Sequence, residues 1–185
     1  VFIGGFVGDN RGSIAYSESN VQMTLNYGQL KFYKLAIGEF AGRNGTGGET
    51  TESRSAGSIK VSLMRKNNQL ELGGFVGINE GILASCSAEG TVSLTMENTS
   101  SPIGWSVSNV SVGGLVGSNT NIGAAETSGS ISDSFVRNAL SLENFGNEDE
   151  KSGDVFGKAV NDAMCENCYA VSYDNIELSD KWLIF

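Results

Sequence analysis

A five-residue motif of the form Gly-x-φ-φ-Gly, where φ is an apolar residue, recurs five times along this chain. The first glycines of successive copies are 34, 35, 40 and 40 residues apart. A nearly fixed period of this size is typical of stacked repeats, because one unit buries its apolar face only against its neighbours. The copies are Gly4-Gly5-Phe6-Val7-Gly8, Gly38-Glu39-Phe40-Ala41-Gly42, Gly73-Gly74-Phe75-Val76-Gly77, Gly113-Gly114-Leu115-Val116-Gly117 and Gly153-Asp154-Val155-Phe156-Gly157.

The third unit, residues 70–96, is the most regular and predicts three strands. The first strand ends in the glycine motif, and the second runs from about Ile82 to Ala88. The third alternates Val92, Leu94 and Met96 with small polar residues, which is the period of a strand with one buried face. Turns rich in Asn and Gly separate the three pieces, because these residues accept a positive φ.

Three strands per unit, each turning the same way, predict an all-β fold: a parallel β-helix (β-solenoid) with about five three-stranded rungs of 34–40 residues. We expect a single domain, 1–185, with repeats at about 1–37, 38–72, 73–112, 113–152 and 153–185. The alternative is a propeller with one blade per repeat, which needs a fourth strand in each unit. Two columns of like residues should stack along a solenoid: Phe6, Phe40, Phe75, Leu115 and Val155, and Ser17, Ser53, Cys86, Ser134 and Cys168.

Glycines and asparagines at fixed places in the repeat are predicted to be structural. The motif glycines should lie where a strand meets a corner and a Cβ does not fit. The asparagines share one turn position, where their amides are expected to stack into a hydrogen-bonded ladder rather than bind a ligand. These residues are Gly4, Gly8, Gly38, Gly42, Gly73, Gly77, Gly113, Gly117, Gly153 and Gly157, with Asn10, Asn44, Asn79 and Asn119.

Charge and hydropathy exclude several classes of partner. The formal net charge is −9 and no basic stripe is visible, which disfavours nucleic acid and anionic membrane. No run of about 18 apolar residues exists, so no membrane insertion is predicted. The chain opens at Val1 inside a repeat, without a signal peptide, and we expect it to be a fragment of a longer protein.

The third repeat resembles the GLUG motif. The resemblance rests on Gly73-Gly74-Phe75-Val76-Gly77-x-Asn79-x-Gly81 and on Asn167-Cys168-Tyr169-Ala170 near the end of the chain. GLUG repeats occur in large bacterial surface proteins, among them immunoglobulin A-cleaving zinc peptidases and filamentous-haemagglutinin-like adhesins. The resemblance therefore implies an extracellular location, at the cell surface or secreted, in a bacterium. It implies no activity, because the motif serves as a stalk or display segment in different proteins.

Residues that carry enzyme chemistry are sparse. The chain has no His, so a His-Glu-x-x-His zinc site and His-activated nucleophiles are impossible within it. Its acidic residues are scattered and do not recur at one column, and no enzyme or resident cofactor is predicted. The run 143–150 is expected to be a solvated loop, with weak Ca²⁺ binding as the alternative. Cys168 is expected to be a small buried residue, with a local link to Cys165 or a functional thiol pair as alternatives.

Segments that interrupt the repeat are the best candidates for recognition, because departures from a repeat map to loops. Phe32 and Tyr33 lie in one such segment and Trp105 in another, and aromatic faces beside polar groups suit sugars or proteins. Burial of Phe32 and Tyr33 in an extra strand is the alternative. We therefore expect a non-enzymatic adhesin or display stalk that binds host glycan or extracellular protein. The alternatives are a non-catalytic accessory segment of a secreted zinc peptidase, which would contact neighbouring domains of its own chain, or a structural stalk that stacks end to end.

Overall fold

The computed structural model describes residues 1–27, 34–64, 69–97, 109–120, 129–144, 150–153, 156–160 and 165–170. The regular structure of these residues is entirely β. The chain winds in successive turns, here called coils, and each strand of one coil lies beside the equivalent strand of the next.

The strands follow one another in the same order in every coil. Coil 1 holds β1 (Phe2–Gly4), β2 (Val7–Asn10), β3 (Ser13–Ala15), β4 (Glu18–Ser19) and β5 (Gln22–Tyr27). Coil 2 holds β6 (Lys34–Gly38), β7 (Ala41–Asn44), β8 (Glu49–Thr51), β9 (Arg54–Ser55) and β10 (Ser58–Met64). Coil 3 holds β11 (Gln69–Gly73), β12 (Val76–Asn79), β13 (Ile82–Ala84) and β14 (Ser87–Glu97). Coil 4 holds β15 (Asn109–Gly113), β16 (Val116–Thr120), β17 (Ser130–Ser132) and β18 (Phe135–Glu143), and coil 5 holds β19 (Glu150–Gly153), β20 (Phe156–Val160), β21 (Cys165–Glu166) and β22 (Tyr169–Ala170).

Four parallel sheets run along the stack, and we name them A to D in the order in which the chain enters them. Sheet A is β1-β6-β11-β15-β19, sheet B is β2-β7-β12-β16-β20, and sheet C is β3-β8-β13-β17-β21. Sheet D is β5-β10-β14-β18-β22, with β4 and β9 at its side. All strand pairs are parallel and in register, so the predicted all-β solenoid is confirmed and the propeller is excluded. Three turns, coils 1 to 3, have their four sheets described without a break inside the coil, fewer than the five full rungs predicted.

The prediction of three strands per rung is wrong, because each coil crosses four sheets. The glycine motif is itself a sharp corner: β11 ends at Gly73 and β12 begins at Val76. The predicted strand from Ile82 to Ala88 is also divided, since Ser85 has a φ of 54° and turns the chain from sheet C into sheet D. The equivalent residues of the other coils share this positive φ: Tyr16, Glu52, Asp133 and Asn167.

The interior contains two hydrophobic clusters. One lies between sheets A and D and includes Leu72 and Leu94, and the other is enclosed by sheets B, C and the start of D and includes Phe75 and Leu83. The residue that follows the first glycine of the motif contacts sheet D at a point between the two clusters, which we call the waist. There the Asn138 amide donates to the Gly114 carbonyl at 2.6 Å. The solenoid therefore has two cores in cross-section.

The predicted aromatic column forms inside the second core. The rings of Phe6 and Phe40 stack with centroids 4.8 Å apart, and those of Phe40 and Phe75 are 4.6 Å apart. Phe40 and Phe75 are fully buried, which contributes roughly 1.5–3 kcal/mol each. Leu115 is buried at the next position, whereas Val155 lies outside the described residues.

The motif glycines lie where backbone segments approach too closely for a side chain. A Cβ at Gly73 would lie 2.8 Å from the Gly117 nitrogen and would overlap the Val76 carbonyl. A Cβ at Gly77 would lie 2.6 Å from the backbone nitrogen of Ile37, so glycine here lets sheets A and B pack against each other.

Candidate ligand-binding edge

The connections from sheet D to the next strand of sheet A all leave and re-enter the solenoid along one edge. They are residues 28–33, 65–68, 98–108 and 145–149, which lie outside the described residues. Their anchors are described and in register: Tyr27 pairs with Leu63 in sheet D, and Lys34 pairs with Gln69 in sheet A. With about 4.8 Å between neighbouring strands, the anchors of the first and third connections are about 10 Å apart.

The three aromatic candidates all belong to these connections. Phe32 and Tyr33 fall within 28–33 and Trp105 falls within 98–108, so their own positions lie outside the described residues. The strand order nevertheless anchors both segments on the same edge, which the sequence alone did not indicate. A ligand that contacts both connections would span two coils.

The longest insertion of the fourth repeat follows a different strand. Residues 121–128 connect sheet B to sheet C in coil 4, where coil 3 needs only Glu80 and Gly81. The insertion is closed at its base, because the Gly129 amide donates to the Thr120 carbonyl at 2.8 Å. The coil therefore continues into β17 in register with β13.

The four asparagines of the repeat form a continuous buried ladder at the end of sheet B. The Nδ2 of each donates to the Oδ1 of the next, from Asn10 to Asn44, Asn79 and Asn119, at 2.9 Å in all three steps. Each of the first three amides also donates a hydrogen bond to a backbone carbonyl at the start of a strand of sheet C. The side chains are thus used within the fold, in the structural role expected of them, and their amides face no solvent.

The second predicted column forms at the corner between sheets C and D. The hydroxyls of Ser17, Ser53 and Ser134 each donate to the carbonyl two residues earlier, at 2.7 to 3.0 Å. The Cys86 thiol does the same toward Ala84 at 3.4 Å. These bonds close the corner across the residue with positive φ.

In coil 5 a disulfide bond between Cys165 and Cys168 closes this corner. Cys168 is buried in the column, as expected from the sequence. It is also linked to Cys165, which the sequence analysis gives only as an alternative. The reason is geometric: Cys165 replaces the inward residue of β17, Ile131, and that position lies beside the corner. The Cα atoms of the pair are 5.9 Å apart, within the range of ordinary disulfides.

A thiol titration checks this assignment. Burial raises the pKa of the free Cys86 thiol to about 11, so almost no thiolate forms at pH 8. We expect no reactive thiol in the native chain, one after unfolding without reductant, and three after unfolding with reductant. Three thiols on unfolding without reductant would show that the disulfide is absent.

Comparison with known protein families identifies the repeat. The GLUG motif is the family whose sequence profile matches, at residues 68–93. The matched residues correspond to coil 3 from the start of β11 to the middle of β14. The predicted relation to the GLUG-motif repeat family is thereby confirmed. Comparison with curated proteins and with solved structures finds no match.

Coil 2 departs from the glycine motif at Glu39, where coils 1, 3 and 4 have glycine. The Glu39 side chain lies at the waist and is buried. Its Oε1 accepts hydrogen bonds from the Val21 amide at 2.7 Å and from the Ser19 hydroxyl at 3.0 Å. Its Oε2 is buried and has no hydrogen-bond partner among the described residues. The carboxylate therefore ties coil 1 to the corner of coil 2 at a desolvation cost.

Stability should depend on pH through Glu39. Burial raises the pKa of this carboxyl and outweighs the hydrogen bonds from Val21 and Ser19, which lower it. A raised pKa in the folded state means that the protonated form is favoured on folding. The contribution of protonated Glu39 to the free energy of unfolding is full below the ordinary carboxyl pKa of about 4.3. It is lost as the pH rises through the pKa of the folded state. In urea unfolding, we expect Glu39→Gln to reduce the loss of stability that occurs as the pH rises above the ordinary carboxyl pKa of about 4.3. An unchanged pH dependence would contradict this assignment.

The other acidic residues of the described part are mostly paired or dispersed. Arg43 donates to Glu80 through Nε at 3.0 Å and lies 3.6 Å from Asp9. Arg54 lies 3.6 Å from both Glu18 and Glu89 on the surface. Within the described residues no group of three or more potential ligands is placed to hold a metal ion, and no helix is long and apolar enough to cross a membrane. Residues 145–149 of the candidate Ca²⁺ loop lie outside this part.

Proposed function

We propose that this chain is a non-enzymatic, extracellular repeat domain of a bacterial surface protein that displays its sheet D to sheet A connections for binding. The ligand is a host glycan or an extracellular protein, contacted by Trp105, Phe32 and Tyr33. The observation that carries the proposal is the common edge on which both aromatic-bearing connections are anchored. A stack of in-register coils holds these anchors at fixed spacing, and a rigid scaffold that positions recognition loops is a common arrangement.

Aromatic side chains on loops suit this role because they provide a large contact area at low entropic cost. Two connections whose anchors are about 10 Å apart would contact two or three sugar units, or a short peptide segment, at once. The parallel solenoid resembles a spacer in that its length grows by one strand width per repeat, which suits display away from a surface.

The test is binding of the purified chain to arrays of glycans and host extracellular proteins. We expect a specific hit that weakens at least tenfold in Trp105→Ala and in Phe32→Ala, with unchanged circular dichroism and melting temperature. Tyr16→Asn is the matched control, because it removes another exposed aromatic side chain at a position whose positive φ asparagine accepts. No hit from folded protein, or binding that persists when Trp105→Ala and Phe32→Ala are combined, would overturn the proposal.

A further inference from the structure

Asn44 is followed by Gly45, and no other asparagine in the chain is followed by glycine. Asparagine is a chemically labile residue, because the backbone nitrogen of the next residue can attack its side-chain carbonyl carbon. Glycine at the next position removes the side chain that would hinder this attack, and it leaves the backbone free to reach the required conformation. Asn44 is therefore the most labile of the four asparagines of the ladder.

The folded chain withholds both groups that this reaction needs. The attacking nitrogen is that of Gly45, and its N–H donates to the Asn10 carbonyl at 2.8 Å. The Asn44 side chain is fully buried, and its Oδ1 accepts from the Asn10 amide at 2.9 Å. Its Nδ2 donates to Asn79 at 2.9 Å and to the Ile82 carbonyl at 3.1 Å. Coils 1 and 3 thus hold the labile pair from both sides and exclude water from its side chain.

We propose that Asn44 is a deamidation site that the asparagine ladder protects, and that its reaction permanently removes chains in which coil 2 has opened. When the contacts with coils 1 and 3 break, the Gly45 nitrogen loses its proton and attacks the Cγ of Asn44. The side-chain nitrogen leaves as ammonia, and a cyclic succinimide forms between the two residues. Water then opens the ring at either carbonyl and gives aspartate or isoaspartate. The reaction consumes one water molecule and needs no oxidant, reductant or cofactor.

Neither product fits the place that Asn44 occupies. A carboxylate has no hydrogen to donate, so the Oδ1 of Asn79 and the carbonyl of Ile82 would lose this partner inside the protein. It would also carry a negative charge where the asparagine is fully buried. Isoaspartate adds a carbon to the main chain before β8, which displaces the pairing of Thr50 with Leu83. A modified chain should therefore be unable to regain the ladder.

Glycine at position 45 is not required by the ladder itself. The residues that follow the asparagine in coils 1 and 3 are Arg11 and Glu80. The Glu80 amide makes the same kind of bond as that of Gly45, to the Asn44 carbonyl at 2.8 Å. The nearest atom to a Cβ at Gly45 would be the Oδ1 of Asp9 at 3.3 Å, which a small shift of that side chain relieves. Gly45→Ala therefore removes the labile pair and keeps the ladder. The inference is independent of the proposed ligand.

Mass spectrometry of the whole chain, held at pH 8 and 37 °C, tests the site. One sample is kept in buffer and the other in guanidinium chloride that unfolds it. Trypsin then releases residues 44–54 and 1–11, which contain Asn44 and Asn10 respectively as their only asparagine. In the denatured sample we expect Asn44 to exchange its NH₂ for OH at least tenfold faster than Asn10. In buffer we expect Asn44 to react at least tenfold more slowly than in the denatured sample.

Two variants complete the test. Gly45→Ala should slow the reaction of Asn44 at least tenfold in guanidinium chloride, a result that does not depend on how well this variant folds. Asn44→Asp carries one of the two products directly, and it should unfold at a lower guanidinium chloride concentration than the wild type. Equal rates for Asn44 in buffer and in denaturant, equal rates for Asn44 and Asn10 in denaturant, or an Asn44→Asp chain as stable as the wild type would each overturn the proposal.

Discussion

Replacing Gly73 with alanine is expected to destabilise the chain by roughly 3 kcal/mol or more, a large part of the stability of an ordinary domain. The added Cβ would overlap the carbonyl of Val76 across the corner and approach the backbone nitrogen of Gly117 in coil 4. These obstacles are backbone atoms, which cannot move aside without opening the corner between sheets A and B. The effect arises because the close approach occurs in the middle of the stack, where both neighbouring coils fix the backbone.

The matched control is Gly12→Ala. A Cβ at Gly12 would meet no atom within 4 Å, so alanine fits there and should change stability by less than about 0.5 kcal/mol. Urea unfolding followed by circular dichroism measures both variants. A Gly73→Ala chain within 1 kcal/mol of the wild type would show that the corner is not as tightly packed as described.

Replacing Asn44 with leucine is expected to cost about 3 kcal/mol or more, although the two side chains have similar volumes. Asn44 accepts from Asn10 and donates to Asn79 and to the Ile82 carbonyl. Leucine would leave these buried groups without partners, and each such group costs about 1–3 kcal/mol. Because the ladder joins successive coils, the loss should reduce the cooperativity of unfolding between coil 1 and coil 3 as well as the overall stability.

The control for the ladder is Asn20→Leu, at an exposed position. It makes the same change of side chain without removing a described hydrogen bond and should alter stability by less than about 0.5 kcal/mol. Hydrogen exchange of sheet B amides and urea unfolding distinguish the two variants. If Asn44→Leu unfolds at the wild-type urea concentration, the ladder contributes little and the asparagines must be explained otherwise.

The candidate binding residues show which features of the site can be predicted from the sequence and which cannot. The aromatic segments that contain Phe32 and Trp105 are visible as interruptions of the repeat. Their shared edge is not, because it depends on which two sheets they connect, and the sequence predicted three strands per coil instead of four. Glu39 likewise stands out as a charge at a glycine position, but only its contact with Val21 shows that it links two coils.

The sequence by itself determined the parallel solenoid, the column of phenylalanines and the asparagine ladder. The reason is that stacking repeats a unit by translation, so residues with the same place in the period become neighbours whatever the shape of the coil. Only the tertiary structure decided the sharp corner after Gly73, the waist with its two cores, and the Cys165–Cys168 bond. Those features depend on contacts between different sheets, such as Asn138 with Gly114. The direction of each corner sets these contacts, and the repeat period carries no information about that direction.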